Sequence, residues 1–190
     1  MKATFVASAT SPNQLVSHAF KEIAVVGRSN VGKSSLLKNV FGSSAEVRTS
    51  KKPGATRKIN LFYVDNQIAL VDLPGYGYAK MSKQEKRQIQ SMLENYLFGR
   101  DNLWGVVLIV DARRDPVSLE DKEVLRVLIA NNLQVLLVVN KIDLVSKNQQ
   151  LKLIGNIERQ LAIPQGTALA YSSRTGVGRA ELIKYLKECV

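Results

Sequence analysis

Residues 27 to 34 read Gly27-Arg28-Ser29-Asn30-Val31-Gly32-Lys33-Ser34, a complete match to the pattern G-x-x-x-x-G-K-[ST]. Such a string can hold phosphate. Gly27 and Gly32 carry no side chains, so backbone N–H groups can close around phosphate oxygens at the positive end of a helix. Lys33 is placed to reach the terminal phosphates, and the Ser34 hydroxyl to ligate Mg²⁺. The motif has this meaning only as a turn from a buried strand into a helix. Ile23-Ala24-Val25-Val26 supplies the strand and Lys33 to Phe41 the helix.

A phosphate loop does not choose a base. Asn140-Lys141-Ile142-Asp143 can do so, because it follows Gln134 to Val139, a continuous apolar run of the kind that forms a buried parallel strand. Ligands in open α/β sheets sit at the carboxyl ends of strands. An ionised carboxylate only accepts hydrogen bonds. Guanine offers Asp143 a ring N–H beside an exocyclic amine, whereas adenine presents a lone pair at the ring position and leaves the carboxylate partly unpaired. Asn140 and Lys141 would shape the pocket and cover the base plane. Guanine nucleotide is the expected ligand.

Asp72-Leu73-Pro74-Gly75 closes the apolar run Ile68 to Val71. In phosphate-loop NTPases the acid after this strand holds Mg²⁺, usually through water, and the glycine turns its backbone toward the γ-phosphate. Arg48 to Lys58 lacks hydrophobic periodicity and contains Pro53-Gly54, so it reads as a long loop. Thr56 is its best second hydroxyl ligand for Mg²⁺, made only when a γ-phosphate is present. The metal set is then Ser34, Thr56 and Asp72. Lys33 and Gly75 are the groups expected to stabilise the reacting phosphate. The position after Gly75, where Ras-like enzymes carry a water-orienting glutamine, holds Tyr76, which predicts slow intrinsic hydrolysis.

These segments need a scaffold. Thr4 to Ser8 is an expected edge strand in an N-terminal extension, residues 1–20, and residues 21–190 form one GTP-binding domain. Ile59 to Val64 and Ile68 to Val71, separated by Asp65-Asn66-Gln67, predict an antiparallel hairpin. Then follow a helix Ser82 to Phe98, a buried strand Gly105 to Val110 and a helix Leu119 to Ala130. The helix Gln149 to Leu161, the strand Thr167 to Tyr171 and the helix Arg179 to Glu188 complete the chain. Alternating apolar strands and helices predict a three-layer α/β fold: a mostly parallel mixed sheet, one antiparallel hairpin strand, and helices on both faces.

Composition bounds the rest. With 190 residues, 45% of them hydrophobic, the chain can build one sizeable core but not two full domains. No apolar run reaches the length of a membrane span and the N-terminus lacks a signal-peptide core, so no membrane partner and a cytoplasmic location are expected. A single Cys189, near the tail, excludes an intrachain disulfide and reads as inert; His18, also single, reads as a surface or linker residue. The net charge of +11 attracts polyanions. Arg48, Lys51, Lys52, Arg57 and Lys58 fall in the long loop with no acid among residues 48–58, and Lys80, Lys83, Lys86 and Arg87 follow Gly75. Cations on nucleotide-sensing segments would couple GTP binding to contact with RNA phosphates. Tyr76 and Tyr78 could stack on a partner or pack beneath the following helix.

GRSNVGKSS, PGATRKINLFYV and above all DLPGYGYAK resemble the EngB/YihA family of ribosome-assembly GTPases, within the TrmE–Era–EngA–YihA–septin group, and the resemblance runs nearly end to end. It implies nucleotide contacts from Gly54, Ala55, Thr56, Arg57 and Lys58, and from Leu73 and Pro74. It implies that Ser172-Ser173-Arg174 backs the guanine through main-chain contacts. Asn30 occupies the position at which related cation-activated GTPases hold potassium beside the phosphates, which makes Asn30 a catalytic candidate and potassium a second expected cofactor. The other source of the missing catalytic group is a partner in trans, the ribosome. The resemblance further implies action on the large ribosomal subunit or its precursor as a monomer, and a requirement for normal cell division and septation. Two other readings stay open: a GTP-gated RNA-binding module with negligible hydrolysis, and a small-nucleotide kinase, which Asn140 to Asp143 disfavour.

Overall fold

The computed structural model describes residues 1–42, 58–78 and 81–189. Its strands are β1 (Ala3–Ala9), β2 (Lys21–Gly27), β3 (Ile59–Val64), β4 (Ile68–Asp72), β5 (Leu103–Asp111), β6 (Gln134–Asn140) and β7 (Leu169–Ala170). The helices are α1 (Lys33–Phe41), α2 (Lys83–Gly99), α3 (Leu119–Ala130), α4 (Lys147–Gln160) and α5 (Arg179–Glu188). One sheet runs β1-β3-β4-β2-β5-β6-β7. All pairings are parallel except those of β3, which is antiparallel to both β1 and β4. This is the mixed three-layer arrangement the residue pattern predicts.

The period-two geometry of a strand explains why the central runs are apolar throughout. Ala24 and Val26 of β2, with Val106, Leu108 and Val110 of β5, face one core, covered by Ile89, Leu93 and Leu97 of α2, Leu125 and Leu128 of α3 and Ile157 of α4. Ile23, Val25, Val107 and Ile109 face the other, covered by Leu36, Leu37 and Val40 of α1 and Leu182 and Leu186 of α5. A strand buried on both sides has no polar face to show.

Helix starts follow local chemistry. Ser82 caps α2 in a capping box: its hydroxyl accepts from Glu85 N (3.2 Å), while Ser82 N donates to Glu85 Oε2 (2.9 Å). Ser118 caps α3 by accepting from Asp121 N at 3.1 Å. Helix α4 begins two residues before its expected start, behind Ser146, whose hydroxyl donates to Gln149 Oε1. Strand β7 is shorter than Thr167 to Tyr171. Ala168 N donates to Glu158 Oε1 and Thr167 Oγ1 to Pro164 O, so these residues satisfy their polar groups off the ladder.

His18 is not a surface residue. Its side chain is 5% exposed, set edge-on against Tyr63, with Nε2 3.0 Å from the fully buried carboxylate of Glu22. Glu22 also accepts from the Tyr96 hydroxyl and from Arg100 Nε and Nη2 (3.0 and 2.7 Å to Oε1). Removing one partner of a buried ion pair leaves the other uncompensated, at a cost of about 3 kcal/mol. Glu22→Ala is therefore expected to lower the melting temperature by roughly 6–12 °C, with nucleotide binding at 25 °C unchanged. Calorimetry and GDP titration check both halves. Cys189 is buried, and burial pushes its thiol up to about 11, the setting of a packed cysteine and not of a nucleophile.

Candidate functional site: a phosphate loop beside a base pocket

The C-terminal ends of β2, β4 and β6 converge on one edge of the sheet, and each expected motif hangs from one of them. Gly27 closes β2 where there is no room for a side chain: a methyl group would lie 2.7 Å from Ile109 O. The loop then turns through Asn30 (φ 65°) and Gly32 (φ 106°) into α1, with Gly32 as its N-cap. Arg28 and Ser29 are half-buried and Asn30 is exposed, while Val31 packs into the second core. Lys33 is buried, its Nζ 3.4 Å from Gly27 O, and burial lowers its pKa while the charge of Asp72 opposes that fall. Ser34 is half-buried in the first turn of α1.

Asp72 ends β4, 3% exposed. Burial raises its pKa to about 6, against the pull of Lys33 and of a hydrogen bond from the Asn60 side chain. Its Oδ1 is buried and has no hydrogen-bond partner among the described residues. A desolvated carboxylate oxygen with nothing to accept is costly unless a cation or donor completes it. Within electrostatic reach of Lys33 at the start of α1, this oxygen fits Mg²⁺, a hard cation that takes one or two protein oxygens and keeps several waters. Leu73 spends its amide on Val25 O and its side chain on the core, which leaves main-chain carbonyl as its offering; Pro74 is buried. Gly75 lies on the lysine: a methyl group there would sit 2.8 Å from Lys33 Nζ and 3.0 Å from the Ser29 backbone.

The next residue answers the question about its ring. Tyr76 packs between α2 and α3, its hydroxyl donating to Asp121 Oδ1 at 2.6 Å, and its carbonyl accepts from Ser29 N at 2.8 Å. Burial first, then the neighbouring Asp121, pushes that phenol well above its ordinary range, so it stays protonated. Tyr78 also packs on this core.

At the base end, Asn140 Nδ2 donates to Val31 O (2.9 Å), tying the β6 terminus to the phosphate loop, while its Oδ1 is buried with no partner among the described residues. Lys141 adopts a left-handed conformation (φ 65°) and its Nζ bonds Asn30 O and Asp111 Oδ2, both at 2.7 Å. Ile142 is buried and its N–H donates to Tyr171 O. Asp143 is half-exposed, its Oδ1 accepting from Ser172 Oγ at 2.7 Å. Ser172, fully buried, also accepts from the amides of Arg174 (3.3 Å) and Thr175 (3.1 Å). Ser173 is half-buried and gives its carbonyl to Asn39, and Arg174 is exposed. The Ser172 loop and Asp143 are thus brought together.

Gly54, Ala55, Thr56 and Arg57 lie outside the described residues, as do Arg48, Lys51, Lys52 and Lys80; Lys58 is exposed at the start of β3. Lys83, Lys86 and Arg87 are exposed on α2. Two groups escape sequence reasoning. Asp111, at the end of β5, holds Lys141 and Arg113; hydrogen bonds from both outweigh burial and bring its carboxyl down to about 2. An acid closing a buried strand was the available signal. Glu120 pairs with Arg28 at 2.5 Å from the first turn of α3, and nothing in the spacing announces that.

A phosphate loop, a carboxylate–lysine–glycine cluster and a carboxylate buttressed by Ser172 on one sheet edge define a phosphate-loop GTPase. Comparison with known proteins carries this further. Residues 22–141 match the family described as 50S ribosome-binding GTPase. A probable GTP-binding protein EngB of Desulforapulum autotrophicum is 42% identical over 94% of this chain and 91% of its own length. Its counterpart in Geobacter sulfurreducens is 45% identical over 93% and 85%. The chain belongs to the EngB family of GTP-binding GTPases. A crystal structure of a probable GTP-binding protein engB superposes with a TM-score of 0.73 at 25% identity, covering 88% of this chain and 97% of that one. Era in complex with MgGDPNP and nucleotides 1506–1542 of 16S ribosomal RNA gives 0.68 at 25% identity, over 90% of this chain and 57% of Era.

Proposed function

We propose that this GTPase is a molecular switch in assembly of the large ribosomal subunit, engaging the precursor in its GTP form. The observation that carries the reading is the contact of Gly75 and Tyr76 with Lys33 and Ser29. Segments that touch the lysine of the phosphate loop must move with whatever occupies it. Loop amides and Gly32 would cradle the diphosphate, Lys33 the terminal phosphates, and Asp143, Asn140, Lys141 and the Ser172 loop the guanine. Ser34, Thr56 and Asp72 would hold Mg²⁺, which when bound neutralises charge on the phosphate oxygens. Gly75 would offer its N–H to the γ-phosphate, and Lys33 would stabilise charge in the transition state.

The Tyr76 phenol is turned to Asp121, so it does not orient water as a glutamine would. A potassium ion at Asn30, or the ribosome in trans, would supply the missing charge. The partner is argued from the family description, from Era's complex with ribosomal RNA, and from the exposed cations Lys83, Lys86 and Arg87 beside the switch. Monomeric action in the cytoplasm, with division and septation dependent on ribosome supply, completes the proposal.

GTP turnover in sodium and in potassium, with and without large subunits, tests it. Potassium or subunits are expected to raise the rate at least tenfold. If potassium acts, Asn30→Ala removes the difference between the salts. Indifference to both additions would reduce the chain to a GTPase with no ribosomal activation.

A further inference from the structure

Asp72 has a neighbour whose chemistry suits no core. Asn60 of β3 stands directly opposite Asp72 of β4 in the antiparallel register, so the two side chains share one face of the sheet. Its side-chain amide acts on the Asp72 carboxylate as a hydrogen-bond donor, drawing that acid's pKa down. On the other flank Ser8 of β1 stands opposite Asn60, and Ser8 Oγ donates to Asn60 Oδ1 at 2.9 Å. An amide has one accepting end and one donating end. With Oδ1 taken by Ser8, Nδ2 is the end that faces Asp72. Three neighbouring strands therefore carry a polar row, Ser8 to Asn60 to Asp72, inward from the sheet edge. At its inner end Asp72 Oδ1 is buried with no hydrogen-bond partner among the described residues.

We propose that Asn60 is a positioning residue for the Mg²⁺ centre, holding the Asp72 carboxylate so that Oδ1 is presented to the cation, and that Ser8 sets the direction of the Asn60 amide. The inference rests on the Mg²⁺–guanine nucleotide reading above. It differs from a plain structural role in what it alters. A row that only stabilised the sheet would change folding and leave the metal dependence of nucleotide retention as it was. Groups that orient a metal's ligand typically change metal affinity 10- to 100-fold when removed.

The test uses the full chain with a fluorescent GDP, whose dissociation is followed across a titration of free Mg²⁺ and separately in EDTA. For Asn60→Leu, of similar volume but without a donor, the Mg²⁺ midpoint for GDP retention is expected to rise about tenfold or more. GDP affinity in EDTA should stay within about twofold of the parent, since the phosphate loop is untouched. Ser8→Ala should shift the midpoint in the same direction by less. An unchanged midpoint in Asn60→Leu, or equal loss of GDP in Mg²⁺ and in EDTA, overturns the role of Asn60. Should Asn60→Leu fail to fold, Asn60→Ala and Ser8→Ala are read by the same two outcomes. Parent protein that retains GDP indifferently to Mg²⁺ would instead overturn the metal reading itself, and with it the inference.

Discussion

Asp143→Ala is expected to lose GTP affinity by roughly 10²- to 10⁴-fold while ATP binding stays where it was. The arithmetic is that of two hydrogen bonds to a charged acceptor, about 1.5–3 kcal/mol each. The carboxylate is prepared for them: Ser172 Oγ fixes Oδ1, and Ser172 is itself locked by the amides of residues 174 and 175. Asp143→Asn should do more than weaken. An amide offers one donor and one acceptor, which clashes with the exocyclic amine of guanine but matches a base bearing a carbonyl at that position. Xanthosine triphosphate should then outcompete GTP. Competition binding with ATP, GTP and XTP checks all three statements, and an unaltered GTP-to-ATP ratio in Asp143→Ala would refute the assignment of Asp143.

Gly32→Ala carries the second large effect. Gly32 sits at φ 106°, where a side chain is strained, and its methyl group would overlap the Asn140 amide. That amide ties β6 to Val31, so displacing it disturbs the phosphate loop and the base pocket together. The expected cost is about 2–6 kcal/mol of stability, from backbone strain of about 1–3 and crowding of similar size. GDP affinity should fall by at least 100-fold, as expected for a cradle whose amides no longer converge. Gly42→Ala is the control: φ is 65°, but nothing among the described residues lies within 4 Å of the added methyl. Only the strain, about 1–3 kcal/mol, should appear there, with GDP binding intact. Urea denaturation and nucleotide titration separate the pair. Parent-like GDP affinity in Gly32→Ala would contradict the steric account.

Much of this was readable in the chain itself, and the reason is periodicity. The helices at Lys33–Phe41, Leu119–Ala130 and Arg179–Glu188 have the boundaries that their apolar spacing and caps predict. The buried runs give β2, β5 and β6, and the motifs at their ends fall on one sheet edge because parallel strands all end there. What periodicity does not encode is which side chains meet across the fold. His18 looked peripheral because its neighbours in sequence are polar and small; Glu22, Tyr63 and Phe20 bury it from three sides. Asp111 and Glu120 are ordinary acids until Lys141 and Arg28 arrive from the loops that follow β6 and β2. Tyr76 could be seen to lack an amide, but only the packing shows where its ring goes.

Helix α3 grips both halves of the phosphate site with adjacent residues. Glu120 holds Arg28 of the loop, and Asp121 holds the tyrosine that follows Gly75. Its twelve residues make a rod about 18 Å long. If the two parts shift relative to each other as GTP is spent, a rod clamped to both at one end would tilt with them. The opposite tip, around Ala130, would then swing farthest, and chemistry at the lysine would reach a remote face as a change of angle.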